Sequence, residues 1–233
     1  MRLRLPTERP TEPPTGYKIA HPVLSQDGTR AGFTGVSLGG ALPYGVVAEA
    51  ACAYGLRHRA PHRRCDCGFH CVHDRRAAEA LLCTAEHRAA VLLEVSVLGA
   101  YIRFERGFRY ARQRVRVMTL GACACGAGAA ELGEAGWGRP GWRALVPCCG
   151  ECLRGRPSLS PAGFARLAGD GLRVVAGGGS APAGLKAAQG MGVPELVAEA
   201  ALLQARLDVF QAQLARLGER GERGGRGGGG AAG

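Results

Sequence analysis

Apolar and polar positions alternate most clearly in the middle of the chain. From Ala90 to Leu120 the apolar set is β-branched and aromatic, with Val91, Val95, Val97, Tyr101, Ile102, Phe104, Phe108, Tyr110, Val115 and Val117. Residues of this kind suit a pleated, half-buried surface, and with Gly99 and Gly107 as punctuation the segment predicts three antiparallel strands. In the last of them Arg112, Arg114 and Arg116 alternate with Gln113, Val115 and Val117. A strand repeats its faces every two residues, so the three guanidinium groups share a basic stripe and the other face turns to the core.

Elsewhere the rhythm changes. Asp74 can N-cap a short helix that begins at Arg75 and Arg76, continues through Glu79, Leu81 and Leu82, and ends near Thr84. Leu196, Ala200, Leu203, Leu207, Phe210, Leu214 and Leu217 follow one another in alternating steps of four and three. That is the a/d seam of a coiled-coil helix over 194–218, opened by Pro194 and stopped by Gly218. The run from Val175 to Pro182 has the Gly/Ser composition of a flexible linker. The expected organisation is a disordered N-terminus (1–15), a β-rich zinc-binding domain (16–120), a zinc-ribbon-like knuckle (121–156), a linker (157–193), the coiled-coil helix (194–218) and a disordered Gly/Arg tail (219–233). The fold class is α+β, β-rich and zinc-stabilised.

Composition sharpens this picture. The 233 residues are enough to bury a sizeable core, and 38 of them are glycine, concentrated towards the C-terminus. The net charge is +11, and only Lys18 and Lys186 are lysines, so the positive charge is almost all arginine. Residues 53–116 hold thirteen Arg against six Asp and Glu. This excludes an acidic, solvating protein. No apolar secretory core follows Met1, and the longest apolar stretch, Ala89 to Ile102, is interrupted by Glu94 and Ser96. It falls short of the roughly 20 residues a membrane helix needs. A cytoplasmic protein without a membrane span is the expectation, and in that reducing compartment ten clustered cysteines read as metal ligands before disulfides.

Two clusters carry this chemistry. Cys52, His58, Cys65 and Cys67 form a C-x5-H-x6-C-x-C-G pattern ending at Gly68, with His70, Cys71 and His73 close behind. Three thiolates and one imidazole make a tetrahedral zinc set, usually closed and structural. The second cluster joins Cys123-x-Cys125-Gly126 to Cys149-x-x-Cys152, as in a zinc ribbon, and leaves Cys148 spare. Cys71 and Cys83 read as core residues. Buried, inert thiols are the alternative for all of them.

The order Gly16-Tyr17-Lys18, Asp27-Gly28, Ala50-Ala51-Cys52, His58-Arg59-Ala60-Pro61, Cys65-Asp66-Cys67-Gly68-Phe69 and Glu105-Arg106-Gly107-Phe108-Arg109-Tyr110-Ala111 resembles an uncharacterised family of small bacterial proteins. In that family a C…HxAP…CxCG segment precedes a strand and an ERG(Y/F)R-like turn. The resemblance covers about 16–120 and implies that Cys52, His58, Cys65 and Cys67 form one set. It brings no established activity. His70 and Cys71 stand where the family usually has Tyr-Ala.

No catalytic motif has supporting context. Gly35-Val36-Ser37-Leu38-Gly39 matches a nucleophile elbow, but Pro43 follows too soon for the long helix such an elbow opens. The leading expectation is a non-enzymatic zinc-binding adaptor or regulator that offers its β-rich domain to a macromolecular partner. That partner is another protein or a second copy, docked on the seam of Leu196, Leu203, Leu207, Phe210, Leu214 and Leu217. The alternative is nucleic-acid binding through Arg112, Arg114 and Arg116. A zinc enzyme is a third reading, with His62, His70 and His73 as the local acid/base candidates.

Overall fold

The computed structural model describes residues 12–36, 42–52, 54–84 and 87–177. The chain divides into two units, 1–182 and 183–233, and the described residues all belong to the first. In chain order the elements are β1 (Thr15–Ser25), β2 (Ala31–Gly35), β3 (Val47–Glu49), β4 (Phe69–Val72), α1 (Arg75–Leu82), β5 (Val91–Phe104), β6 (Gly107–Leu120), β7 (Glu131–Arg139), β8 (Trp142–Cys148), α2 (Gly150–Leu153), β9 (Ser158–Leu159), α3 (Pro161–Ala168) and β10 (Arg173–Ala176). The domain is β-rich with few helices. Among the described residues no helix is long and apolar enough to cross a membrane.

The ten strands join one sheet, antiparallel except for β10 against β6. Strand β1 links its two halves, since residues 15–20 pair with β5 and residues 23–25 with β8 along the same edge. Pro22 falls in the gap between those two ladders. On its other side Pro22 stands opposite Phe33, whose N–H and C=O are both engaged by Tyr44. The missing proline N–H therefore faces a stretch where no ladder partner exists, which is where a strand tolerates proline.

Strand β6 has β5 along one edge. Its other edge is tiled end to end by three short strands: β4 opposite Gly107–Tyr110, β3 opposite Arg112–Arg114 and β10 opposite Val117–Leu120. From Arg112 to Val117, burial along β6 follows the expected alternation. Gln113, Val115 and Val117 are buried while Arg112, Arg114 and Arg116 are exposed. Helix α1 is capped as expected, with Asp74 accepting from the Arg76 N–H at 3.0 Å, and it lays Ala78 over Ile19, Ala90 and Leu92.

Three expectations need correction. Residues 90–120 form two long strands, not three, because Gly99 (φ +70°) sits in a β-bulge where β5 shifts register between Leu98 and Tyr101, and the chain turns at Glu105-Arg106. The left-handed conformation that looked like turn punctuation makes a kink inside one strand. Residues 121–156 are not a separate knuckle, because β7 and β8 extend the same sheet through β1. Residues 157–176 are not linker. Ser160 caps α3 by accepting from the Gly163 N–H, Pro161 opens the helix, and Phe164 is fully buried 5.6 Å from the Phe33 ring. At the N-terminal boundary, the Pro14 carbonyl already accepts from Val97, and Thr15 lies in β1. The coiled-coil segment 194–218, the rest of the linker and the tail 219–233 lie outside the described residues.

Burial of Phe164 gives this correction a measurable consequence. Phe164→Ala should cost about 3–5 kcal/mol, the scale for emptying an aromatic site in a core. Denaturant unfolding of the full chain measures it; a residue in a solvated linker would cost almost nothing.

Candidate metal centres

The first cluster sits in a loop with constrained ends. Strand β3 finishes with Glu49 opposite Arg112, and β4 starts with Phe69 opposite Tyr110, so residues 50–68 leave and rejoin the edge of β6 two positions apart. The Ala50 N–H donates to the Ala111 carbonyl at 2.7 Å and secures the departure. Gly68 secures the return at φ +122°, where a Cβ would stand 3.0 Å from the Arg109 Cγ and 3.2 Å from the Tyr110 carbonyl oxygen. Only glycine combines that backbone angle with that approach.

Inside the loop, short-range turns converge the ligands. Gly55 donates to the Cys52 carbonyl at 3.1 Å and Cys65 to the His62 carbonyl at 3.1 Å. Cys52 Sγ lies 3.5 Å from His58 Nε2 and 3.8 Å from Cys65 Sγ, and Cys67 Sγ lies 3.7 Å from His58 Nδ1. One ligand atom from each of Cys52, His58, Cys65 and Cys67 falls within 4.8 Å of all the others, so the set could hold a metal ion. The four residues expected from the spacing meet here, and none of the three cysteines forms a disulfide.

What holds this loop was missed in the sequence reading. Arg109, on β6, is only 5 % exposed and reaches into the loop. Its Nη1 donates to the Cys65 carbonyl and, at 3.1 Å, to Asp66 Oδ1; its Nη2 donates to the His62 carbonyl at 3.2 Å. A buried guanidinium needs such partners, and here the backbone ones are the carbonyls of His62 and of the candidate ligand Cys65 itself. Sequence parity gave no signal for it: Phe108 and Tyr110 take the core side here, so alternation turns Arg109 to the opposite face of β6, where it is buried because the loop of residues 50–68 folds over it.

The second cluster combines a tight turn with one turn of helix. Gly126 donates to the Cys123 carbonyl and Cys123 to the Ala127 carbonyl, both at 2.8 Å. Across the β7–β8 hairpin, Cys149 is the N-cap of α2 and Cys152 lies within its first turn, which brings the two sulfurs to one face. Cys125 and Cys149 Sγ are 3.6 Å apart, and Cys123, Cys125, Cys149 and Cys152 together could hold a second metal ion.

These thiols are electrostatically unequal. Burial opposes ionisation of Cys123, yet N–H groups of Cys125 and Cys149 and the Cys152 and Cys125 thiols point at its sulfur and bring its pKa down to about 6. The Cys152 thiol, crowded by the sulfurs of Cys123, Cys125 and Cys149, holds its proton and its pKa is pushed up to about 12. In the first set burial likewise opposes the Cys52 thiolate, but N–H donors from Tyr54 and Leu56 prevail and lower its pKa, while burial raises that of Cys65. Protons still held at neutral pH must leave as a metal enters, so metal affinity rises with pH.

The remaining candidates fall outside both sets. Cys71 is a core residue whose thiol is pushed up to about 11 by burial, and Cys83 closes α1 with its Sγ donating to the Glu79 carbonyl. Cys148 is buried beside the second set, and burial followed by the neighbouring Cys123 charge raises its pKa. The His62 ring stacks 4.5 Å from His58, and His73 Nε2 bonds the Phe104 carbonyl. On the basic stripe Arg112 faces Glu49 at 3.7 Å and Arg116 donates to Ser96 at 3.0 Å. The apolar seam Leu196 to Leu217 lies outside the described residues.

The chain matches no family model, no curated protein and no solved structure.

If Arg109 holds the first loop, Arg109→Met should lower stability by about 2–4 kcal/mol, the scale of two charge-assisted bonds to carbonyls. Asp66 is 90 % exposed on its side chain and adds little to that sum. A chelator competed against the variant should strip metal faster from the first set while the second keeps its wild-type rate, with Arg109→Lys only partly restoring retention.

Proposed function

We propose that the protein is a non-catalytic zinc protein in which two closed zinc centres brace a β-rich domain that docks on a macromolecular partner. The spacing of the ligand atoms carries this reading. Four thiolates around zinc at about 2.3 Å stand about 3.8 Å from one another, and an imidazole nitrogen stands about 3.5 Å from each sulfur. The separations here are 3.8 and 3.6 Å between sulfurs and 3.5 Å from Cys52 Sγ to His58 Nε2. Soft thiolates with one imidazole select zinc over hard cations such as magnesium and calcium. Four protein ligands in each set leave no position for a substrate or an activated water, which separates a structural centre from a catalytic one.

The resemblance to a family of small bacterial proteins is consistent with the first centre, and membership is part of the proposal. A cytoplasmic location also belongs to it, supported by ten cysteines without a disulfide. The partner would be a protein, or a second copy of the chain engaged through the seam of Leu196, Leu203, Leu207, Phe210, Leu214 and Leu217. Mass spectrometry of the native protein, purified in reducing buffer, should give about two zinc ions per chain. Cys67→Ser and Cys149→Ser should each remove one of them and lower the melting temperature, because binding energy at such a site is also folding energy. Metal-free protein that unfolds cooperatively would refute the reading.

One observation favours a second reading, nucleic-acid contact. Arg112, Arg114 and Arg116 are exposed side by side, and Arg114 has no ion-pair partner among the described residues. The loop of the first centre adds exposed Arg57, Arg59, Arg63 and Arg64. Phosphate contacts release counterions, so replacing Arg112, Arg114 and Arg116 with Gln should weaken binding and reduce the slope of log affinity against log salt by about 3. Mobility shifts at two salt concentrations measure that slope; no shift by wild-type protein at low salt removes this reading.

A further inference from the structure

A cleft of about 540 Å3 opens on the side of the sheet formed by β1 and β4. It adjoins the first metal loop in sequence but uses none of its ligands. Five aromatic side chains line it, Tyr17, Tyr44, Phe69, Phe104 and Phe108, and its volume is in the range of sites that enclose small molecules. Besides the Tyr17 and Tyr44 phenols, the charged and titratable side chains in the lining are Lys18, His70, Arg106 and the Cys71 thiol; no Asp or Glu is among them.

Lys18 is the informative residue. The chain uses arginine for almost every positive charge, yet places one of its two lysines here. Its ammonium stands 5.1 Å from the Tyr44 ring centroid and 4.9 Å from that of Phe69, and among the described residues no carboxylate pairs with it. Two ring faces stabilise the ammonium, and its N–H donors meet no protein acceptor among the described residues, so they are open to a ligand. The hydroxyl of Tyr44 is buried without a hydrogen-bond partner among the described residues. The local field is positive. Burial first, and then the charges of Arg109 and Lys18, lower the pKa of His70 despite the opposing effect of Asp66.

We infer that this cleft binds a small amphipathic carboxylate, its apolar body against the aromatic walls and its single negative charge on the Lys18 ammonium. Charge complementarity selects the occupant. An anion supplies the acceptors that Lys18 lacks, a cation would meet Lys18 and Arg106, and an ion without an apolar body would leave the aromatic walls wet. A compact ammonium suits a single carboxylate held as a point charge, whereas an arginine fork would demand planar, bidentate contact. The inference does not depend on the proposed zinc chemistry.

The test uses the full-length, metal-replete protein and two probes of nearly equal shape, 2-naphthoate and the neutral 2-naphthamide, titrated by calorimetry. Wild-type protein should bind 2-naphthoate saturably at one site and at least about tenfold more tightly than the amide, the scale of one charge-assisted bond. Lys18→Met keeps an unbranched apolar stem against the two rings and should reduce the acid-over-amide preference to under about twofold. Val36→Trp, which fills part of the cleft, should weaken both probes. Absence of saturable 2-naphthoate binding, equal affinity of wild-type protein for acid and amide, or an undiminished preference in a folded Lys18→Met would overturn the assignment. The acid-against-amide comparison in wild-type protein decides the matter even if a variant fails to fold.

Discussion

The two-residue repeat of β6 is the constraint on which the other features depend. A strand cannot turn one side chain inward without turning its neighbour outward, so the parity that buries Gln113, Val115 and Val117 also exposes Arg112, Arg114 and Arg116. The same alternation, with Phe108 and Tyr110 in the core, turns Arg109 to the opposite face, where the loop of residues 50–68 covers it. A one-residue slip of register would exchange these sets, burying three guanidinium groups and withdrawing the one that holds the loop of the first ligand set. The basic face and the clamp on the loop thus share one geometric cause.

That strand also explains why the first ligand set lies where it does. Strands β3 and β4 occupy consecutive stretches of one edge, and residues 50–68 form an excursion between them. A loop of this length without helix or strand buries little apolar surface of its own, so it needs another source of order. Arg109 ties it to the sheet from below, and four ligand atoms converge within it. The second set has a different scaffold, a turn and a helix start brought together by the β7–β8 hairpin. Two unrelated local geometries therefore each bring four ligand atoms together, three thiols and an imidazole in one and four thiols in the other, which is stronger support for metal binding than either alone.

Local features were legible in the sequence and long-range ones were not. Both ligand quartets could be read because the residues of each knuckle lie within a few positions of one another and thiol spacing reflects turn geometry. The Asp74 cap and the arginine alternation were legible for the same reason. Sheet order was not, since the pairing of β10 with β6 or of β8 with β1 joins segments more than fifty residues apart and leaves no periodic trace. Residues 157–176 were read as linker because their elements are short and glycine-flanked; the burial of Phe164 depends on a partner, Phe33, far away in the chain. Gly99 misled because a positive φ serves a bulge as well as a turn.

The tiling of β6 by β4, β3 and β10 bears on how the molecule assembles. The β5–β6 hairpin closes through a two-residue turn and can form early, at little entropic cost. Its outer edge then waits for segments from both upstream and downstream, and until they arrive it presents the unpaired backbone that recruits other chains into intermolecular sheets. The three arginines along that edge act meanwhile as like charges on every copy of the nascent hairpin, and their mutual repulsion would keep two such edges from meeting in register. A stripe that is exposed on the finished surface is in this light also a gatekeeper for the unfinished one.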